Sequence, residues 1–203
     1  MGICTRGMMG SVLALCFSAA ASGQTAPDWV RFRSINYAGS GCPAGTVAQN
    51  IAADRLAFTL LFDSYVAEAG PGVPLSQTRK NCQINIDLEF PSGWTYTVFA
   101  VDYRGFANLQ AGVQGTQKSA YYFQGGTGPA AQSTLYGPVL KDYFYRDVFE
   151  AQVWSVCSVS RALNINSQIR VDNALAPANS GVMTIDSIDG HVVQTYGITW
   201  RRC

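Results

Sequence analysis

Histidine is nearly missing from this sequence: His191 is the only one in 203 residues. That removes most of the side chains on which triad, general-base and zinc chemistry rests. No G-x-S-x-G stretch marks a nucleophile elbow. Charge is scarce too, with Asp, Glu, Lys and Arg at 13% and a net charge of +1. A chain so nearly neutral sets up no basic field for a phosphate backbone, so nucleic acid is not expected as a partner. Internal repeats and long helical periods are absent. No N-x-Ser/Thr sequon occurs, so no N-linked glycan is expected.

No apolar run makes a comfortable transmembrane span. The longest, "MMGSVLALCFSAAAS", follows Arg6 and ends in small residues. That pattern predicts a secretory signal peptide over residues 1–23, with cleavage after Ala21 or Gly23. Leu15 before Cys16 is wrong for a lipid-attachment site, and Arg6 stands where N-myristoylation needs Ser or Thr. The C-terminal "TWRRC" has no apolar tail for a glycolipid anchor. Residues 24–203 are therefore expected to form one secreted, extracellular β domain without a stable membrane anchor.

What is present points to a buried, disulfide-linked body. Aromatics make up 12% of the chain, which suits a well-packed core and not a disordered segment. Removing the leader takes Cys4 and Cys16 with it and leaves Cys42, Cys82, Cys157 and Cys203. An even set in an exported chain reads as disulfides, with three connectivities open. We expect Cys42–Cys82 and Cys157–Cys203, one loop closed in each half. The four are far apart in sequence, so no metal site and no cofactor are expected.

Short alternating runs recur between turn residues. "RLAFTLLFD" places Leu56, Phe58, Leu60 and Phe62 on one face. "QINIDLEF" turns Ile84, Ile86, Leu88 and Phe90 inward and Gln83, Asn85, Asp87 and Glu89 outward. "LNINSQIRV" does the same with Leu163, Ile165, Ile169 and Val171 against Asn164, Asn166, Gln168 and Arg170. These are period-2 strands with one dry face. Cys82 shares the parity of Ile84, so its sulfur is expected in the core. Pro91 to Gly93 and Asp189-Gly190 read as hairpin turns. The fold class is all-β, an antiparallel β-sandwich or jelly-roll-like body of about ten strands with two disulfides.

Several stretches in order, "GCPAGTV", "LFDSYVAEAGPGVPLSQTRKNCQINI", "VDYRG", "QVWSVC", "LNINSQIRV", "TIDSIDG" and the closing "WRRC", carry a resemblance. They resemble the secreted family of fungi and some bacteria known as domain of unknown function four-three-six-zero. Nearly all of the mature chain is covered. Val156 stands where the family often has Pro before the third cysteine. The resemblance implies secretion and the four-cysteine framework. It implies no activity and no catalytic residue.

Candidate chemistry is correspondingly thin. His191 follows the Asp-Gly turn and reads as a surface residue. Asp87 and Glu89, two apart on one strand face, would place carboxylates roughly 6–7 Å apart, near the lower limit for inverting glycosidases. Both project from one solvated strand, however, and catalytic pairs sit in unequal environments. Asp142, Asp147 and Glu150 read as a charged, aromatic strand or loop. Asp186 and Asp189 supply too few oxygens for an EF-hand. Arg79 and Lys80 offer an anion contact, or solvate a loop end.

The strongest functional signal is the pair of amide-rich strand faces: Gln83, Asn85, Asp87 and Glu89, with Asn164, Asn166, Gln168 and Arg170. Tyr121, Tyr122, Tyr143, Tyr145 and Trp94 read as aromatics in excess of the core. Amides that take hydroxyls and rings that stack on C–H faces suit a sugar. The expected function is a non-catalytic binding or coat module for cell-wall polysaccharide, with an extracellular glycan or another secreted protein as partner. A carboxylate-dependent glycan hydrolase or lyase is one alternative. A protein-interaction effector or inhibitor is the other.

Overall fold

The computed structural model describes residues 26–150, 153–159, 161–185 and 194–203. The expected leader, the Asp186–Gly190 stretch and His191 lie outside them. Twelve strands form two antiparallel sheets, and the described residues contain no α-helix, only a 3-10 turn at Leu75–Gln77. The first sheet runs β1 (Arg31–Ala38), β5 (Arg79–Glu89), β10 (Leu163–Asp172), β7 (Gln114–Phe123), β8 (Ala130–Tyr136). The second is built on the long strand β6 (Trp94–Leu109). On one edge of β6 lies β12 (Gln194–Arg202), followed outward by β3 (Ala57–Phe62) and β2 (Val47–Ile51). Farther along that edge come β11 (Gly181–Thr184) and β4 (Val66–Ala69), while β9 (Val139–Val148) takes the opposite edge.

Alternation explains why these stretches are strands with one dry side. Phe58, Leu60 and Phe62 of β3 are fully buried, as are Ile84 and Ile86 of β5 and Ile165, Ile169 and Val171 of β10. They meet Tyr96, Tyr103, Tyr196, Ile198 and Trp200 from the other sheet in one continuous core. Phe58 stacks on Tyr196 with ring centroids 4.5 Å apart. Along β6 the inward set shifts from Tyr96 and Val98 to Val101 and Tyr103. A bulge opposite Gly197/Ile198 causes the shift, because one extra residue flips a period-2 pattern.

The expected disulfides form. Cys42 bonds Cys82 and Cys157 bonds Cys203, across separations of 40 and 46 residues. Cys82 is buried, in line with its parity.

The expected Pro91–Gly93 hairpin does not form, and the Asp189-Gly190 turn lies outside the described residues. Pro91–Gly93 connects β5 to β6, which belong to different sheets; the turn, with Gly93 at φ 81°, carries the chain across the sandwich. β11 and β12, on either side of Asp189-Gly190, both pair antiparallel with β6, at Leu109 to Ala107 and at Tyr103 to Trp94. They therefore run in the same direction and do not pair with each other. Turn residues mark where the chain changes course, and the next strand's partner is set by which face it must bury.

Candidate functional site

The outer face of the five-stranded sheet gathers all eight polar residues expected from the sequence. Cross-strand register places Asn85 opposite Asn164, Gln83 opposite Asn166, Asn81 opposite Gln168, and Arg79 opposite Arg170. On the flanking strands Asn36 lies opposite Asn85, Ala38 opposite Gln83, Ala120 opposite Asn166 and Lys118 opposite Gln168. Amides are thus ranked in rows across neighbouring strands, about 4.8 Å apart.

Side-chain size turns that face into a groove. Where alanines (Ala38 and Ala120) flank Gln83 and Asn166, the surface sinks. One depression of about 430 Å³ is lined by residues of β5, β7 and β10, including Gln83, Asn166, Gln168 and Lys118. A second, of about 300 Å³, lies over β1 and β5 and shares Asn81 and Gln83 with the first. The β1 side is fixed by Gly39, whose φ is 151° and where an added Cβ would come within 2.1 Å of the Asn81 carbonyl oxygen. The centre is fixed by the amide of Asn85, which donates to the Asn164 side-chain oxygen at 3.0 Å. Asn164 itself is buried.

Asp87 and Glu89 belong to the same face, but arginines take their carboxylates. Arg31 donates to Glu89 at 2.8 Å, and Arg33 reaches Asp87 and Glu89 at 3.8 Å each. The hydrogen bond from Arg31 holds Glu89 below its ordinary pKa. A general acid needs the opposite shift. At the other end Arg170 donates to Asp172 at 2.8 Å.

The surplus aromatics are placed differently from the sequence expectation. Trp94, Tyr121 and Tyr143 are 4%, 3% and 5% exposed, so they are core residues. Trp94 sits edge-on to Trp200, Tyr121 to Tyr196, and the Tyr143 hydroxyl donates to the Thr184 carbonyl. Burial raises the Tyr143 pKa well above its ordinary value. Tyr145 is half-buried beside Tyr143. Tyr122, opposite Asn164, stands on the polar face. Tyr136, which sequence reasoning passed over, is 67% exposed and pairs with Gln114 at the far corner of that face. The face is therefore far richer in hydrogen-bonding side chains than in exposed rings.

Asp142 and Asp147 lie on β9, as the charged-strand reading expects. Asp147 is set near the Tyr103 hydroxyl, and burial pushes its pKa above the ordinary value. No three His, Cys, Asp or Glu side chains converge into a metal site among the described residues. None of the described helices is long and apolar enough to cross a membrane.

Fold and face together define a disulfide-linked antiparallel β-sandwich with a polar groove across one sheet. The chain belongs to the family described as Domain of unknown function (DUF4360), whose model matches residues 28–203. It is 47% identical over 180 residues to an uncharacterized secreted protein of Arthroderma benhamiae, covering 87% of this chain and 73% of that one. Two solved structures align with it at low similarity. TmCBM61 in complex with β-1,4-galactotriose does so at 12% identity and a TM-score of 0.29, over 85% of this chain and 90% of that one. The enzymatically active domain of bacteriophage CBA120 tailspike protein 4 does so at 13% identity and a TM-score of 0.25, over 83% and 19%. Likeness at that level carries no argument about function.

Proposed function

We propose that this chain is a secreted, non-catalytic protein that binds extracellular polysaccharide in the groove on the outer face of the five-stranded sheet. The observation that carries the reading is the register of β1, β5, β10 and β7. It aligns Asn36, Asn85 and Asn164 in one row and Gln83 and Asn166 in the next. Each amide offers both donors and an acceptor, which is what a hydroxyl-rich chain needs. The secreted relative supports export, and with it a leader over residues 1–23. The ion pairs on Asp87 and Glu89 speak against hydrolysis.

Co-sedimentation with insoluble polysaccharides, neutral and acidic, tests this. The protein is expected in the pellet with at least one of them, and a Gln83→Ala, Asn166→Ala variant is expected to be retained several-fold less. Recovery wholly in the supernatant across the panel rejects the proposal.

One observation favours a protein partner as a second reading. Among the described residues β9 pairs only with β6, and Leu140, Phe144 and Val148 on its outer side are 71%, 52% and 64% exposed. A single cross-linked partner from culture fluid, lost in a Phe144→Lys variant, would favour that reading over polysaccharide.

A further inference from the structure

Cations on the polar face are neutralised at one end and only in part at the other. Arg31 and Arg33 are met by Glu89 and Asp87. At the opposite end Arg79 and Arg170 stand directly across from each other on β5 and β10. Like charges so placed are unfavourable unless something offsets them. Asp172 answers Arg170. Among the described residues no carboxylate lies within ion-pair distance of Arg79 or of Lys118.

Both side chains are exposed, and both line the 430 Å³ depression. Their strands, β5 and β7, flank β10, and the two positions are offset by one register row, so they stand roughly 12 Å apart across the sheet. Gln168 projects from β10 between those two strands, Asn81 follows Arg79 on β5, Gln83 and Asn166 form the next row beyond Lys118, and no Asp or Glu lines the depression. A guanidinium fork grips a planar carboxylate through two parallel hydrogen bonds, and an ammonium adds a point charge. Amides beside such a pair are matched to hydroxyls on the same ring.

We propose that this depression takes the carboxylate of a uronic-acid residue, so that the ligand of the face is an acidic polysaccharide of the polyuronate class. The charged ring lies between Arg79 and Lys118, and neighbouring rings run over the amide rows toward β1. The inference rests on the polysaccharide-binding reading above and narrows it. Sulfate and phosphate esters offer the same charge with a different geometry, so the test separates them.

Affinity electrophoresis and titration calorimetry at low and high salt would compare polygalacturonate and alginate with dextran sulfate and with neutral β-glucan, cellulose and chitin fragments. The variants are Arg79→Gln with Lys118→Gln, and Arg104→Gln, an exposed charge on the other sheet, as control. Polyuronate is expected to bind about tenfold or more tightly than any neutral glycan, and to weaken as salt screens the pair. The double variant should lose about tenfold in affinity with an unchanged melting temperature, and the control nothing. Equal binding of dextran sulfate, lost in the double variant, would show a general anion site and overturn the uronate assignment. Binding of neutral glycans alone, indifferent to the double variant, would overturn it while leaving the proposed function standing. Binding of none would overturn both.

Discussion

Cys82 lies directly opposite Ser167 across the β5–β10 pair, both side chains buried between the sheets. Its neighbours Asn81 and Gln83 therefore point outward into the groove. The Cys42–Cys82 bond thus fastens, from inside, the part of β5 that presents the site. A Cys42→Ser, Cys82→Ser variant is expected to lose about 4 kcal/mol on the chain-entropy model for a loop of this length. The Cys157→Ser, Cys203→Ser variant should lose a similar amount. Urea unfolding checks both. The first variant alone is expected to weaken polysaccharide retention under conditions where both remain folded.

Asn85 and Asn164 share one hydrogen bond at the centre of the face. Replacing each by Ala, and then both, should give a coupling energy of about 0.5–1.5 kcal/mol in a double-mutant cycle. Additive losses in denaturant melts would show that the bond does not fix the row.

Gly39→Ala sets a methyl against the Asn81 carbonyl at a backbone angle that L-residues avoid. The cost is expected to be about 1–3 kcal/mol, read by thermal melting. The outer end of the groove should loosen with it, seen as faster amide exchange in residues 36–40 than in β7.

How much of this was readable beforehand varies by strand. In β3, β5 and β10 the alternation placed the named apolar residues inward, and in β5 and β10 the amide and charged ones outward, because each strand keeps one dry face along its length. β6 resists such a reading: its bulge at Phe99 switches parity midway, and the switch shows only against Gly197 on β12. Trp94, Tyr121 and Tyr143 looked surplus because composition does not show how much core two facing sheets require. The groove itself was invisible. Its sunken positions, Ala38 and Ala120, and its second cation, Lys118, come from strands remote in sequence whose register no local pattern sets.

Phe58 and Tyr196 stack across β3 and β12 in the middle of the core, their ring planes 9° apart. Phe58→Ala is expected to cost about 3–5 kcal/mol, seen as a lower urea midpoint with an unchanged slope. A loss under 1 kcal/mol would mean the neighbours close the space.

Burial raises the Asp147 carboxyl above its ordinary pKa. The sign follows: above the folded-state pKa its charge opposes folding, and the penalty disappears as pH falls through that value and then through the lower unfolded one. Asp147→Asn should therefore raise the melting temperature at neutral pH. The rise should be small, about 1–2 °C, since the group keeps part of its solvation. It should vanish in strong acid. A gain independent of pH would assign the effect to something other than ionisation.

β10 occupies the middle of the five-stranded sheet, with β5 on one side and β7 on the other, yet it is synthesised after both. Until residues 163–172 emerge, those two strands are open edges waiting for a shared neighbour, and half of the amide rows have no counterpart. The groove is thus completed only at a late moment in biogenesis. A chain truncated before that keystone would present unpaired backbone in place of a groove, an invitation to aggregate rather than to bind.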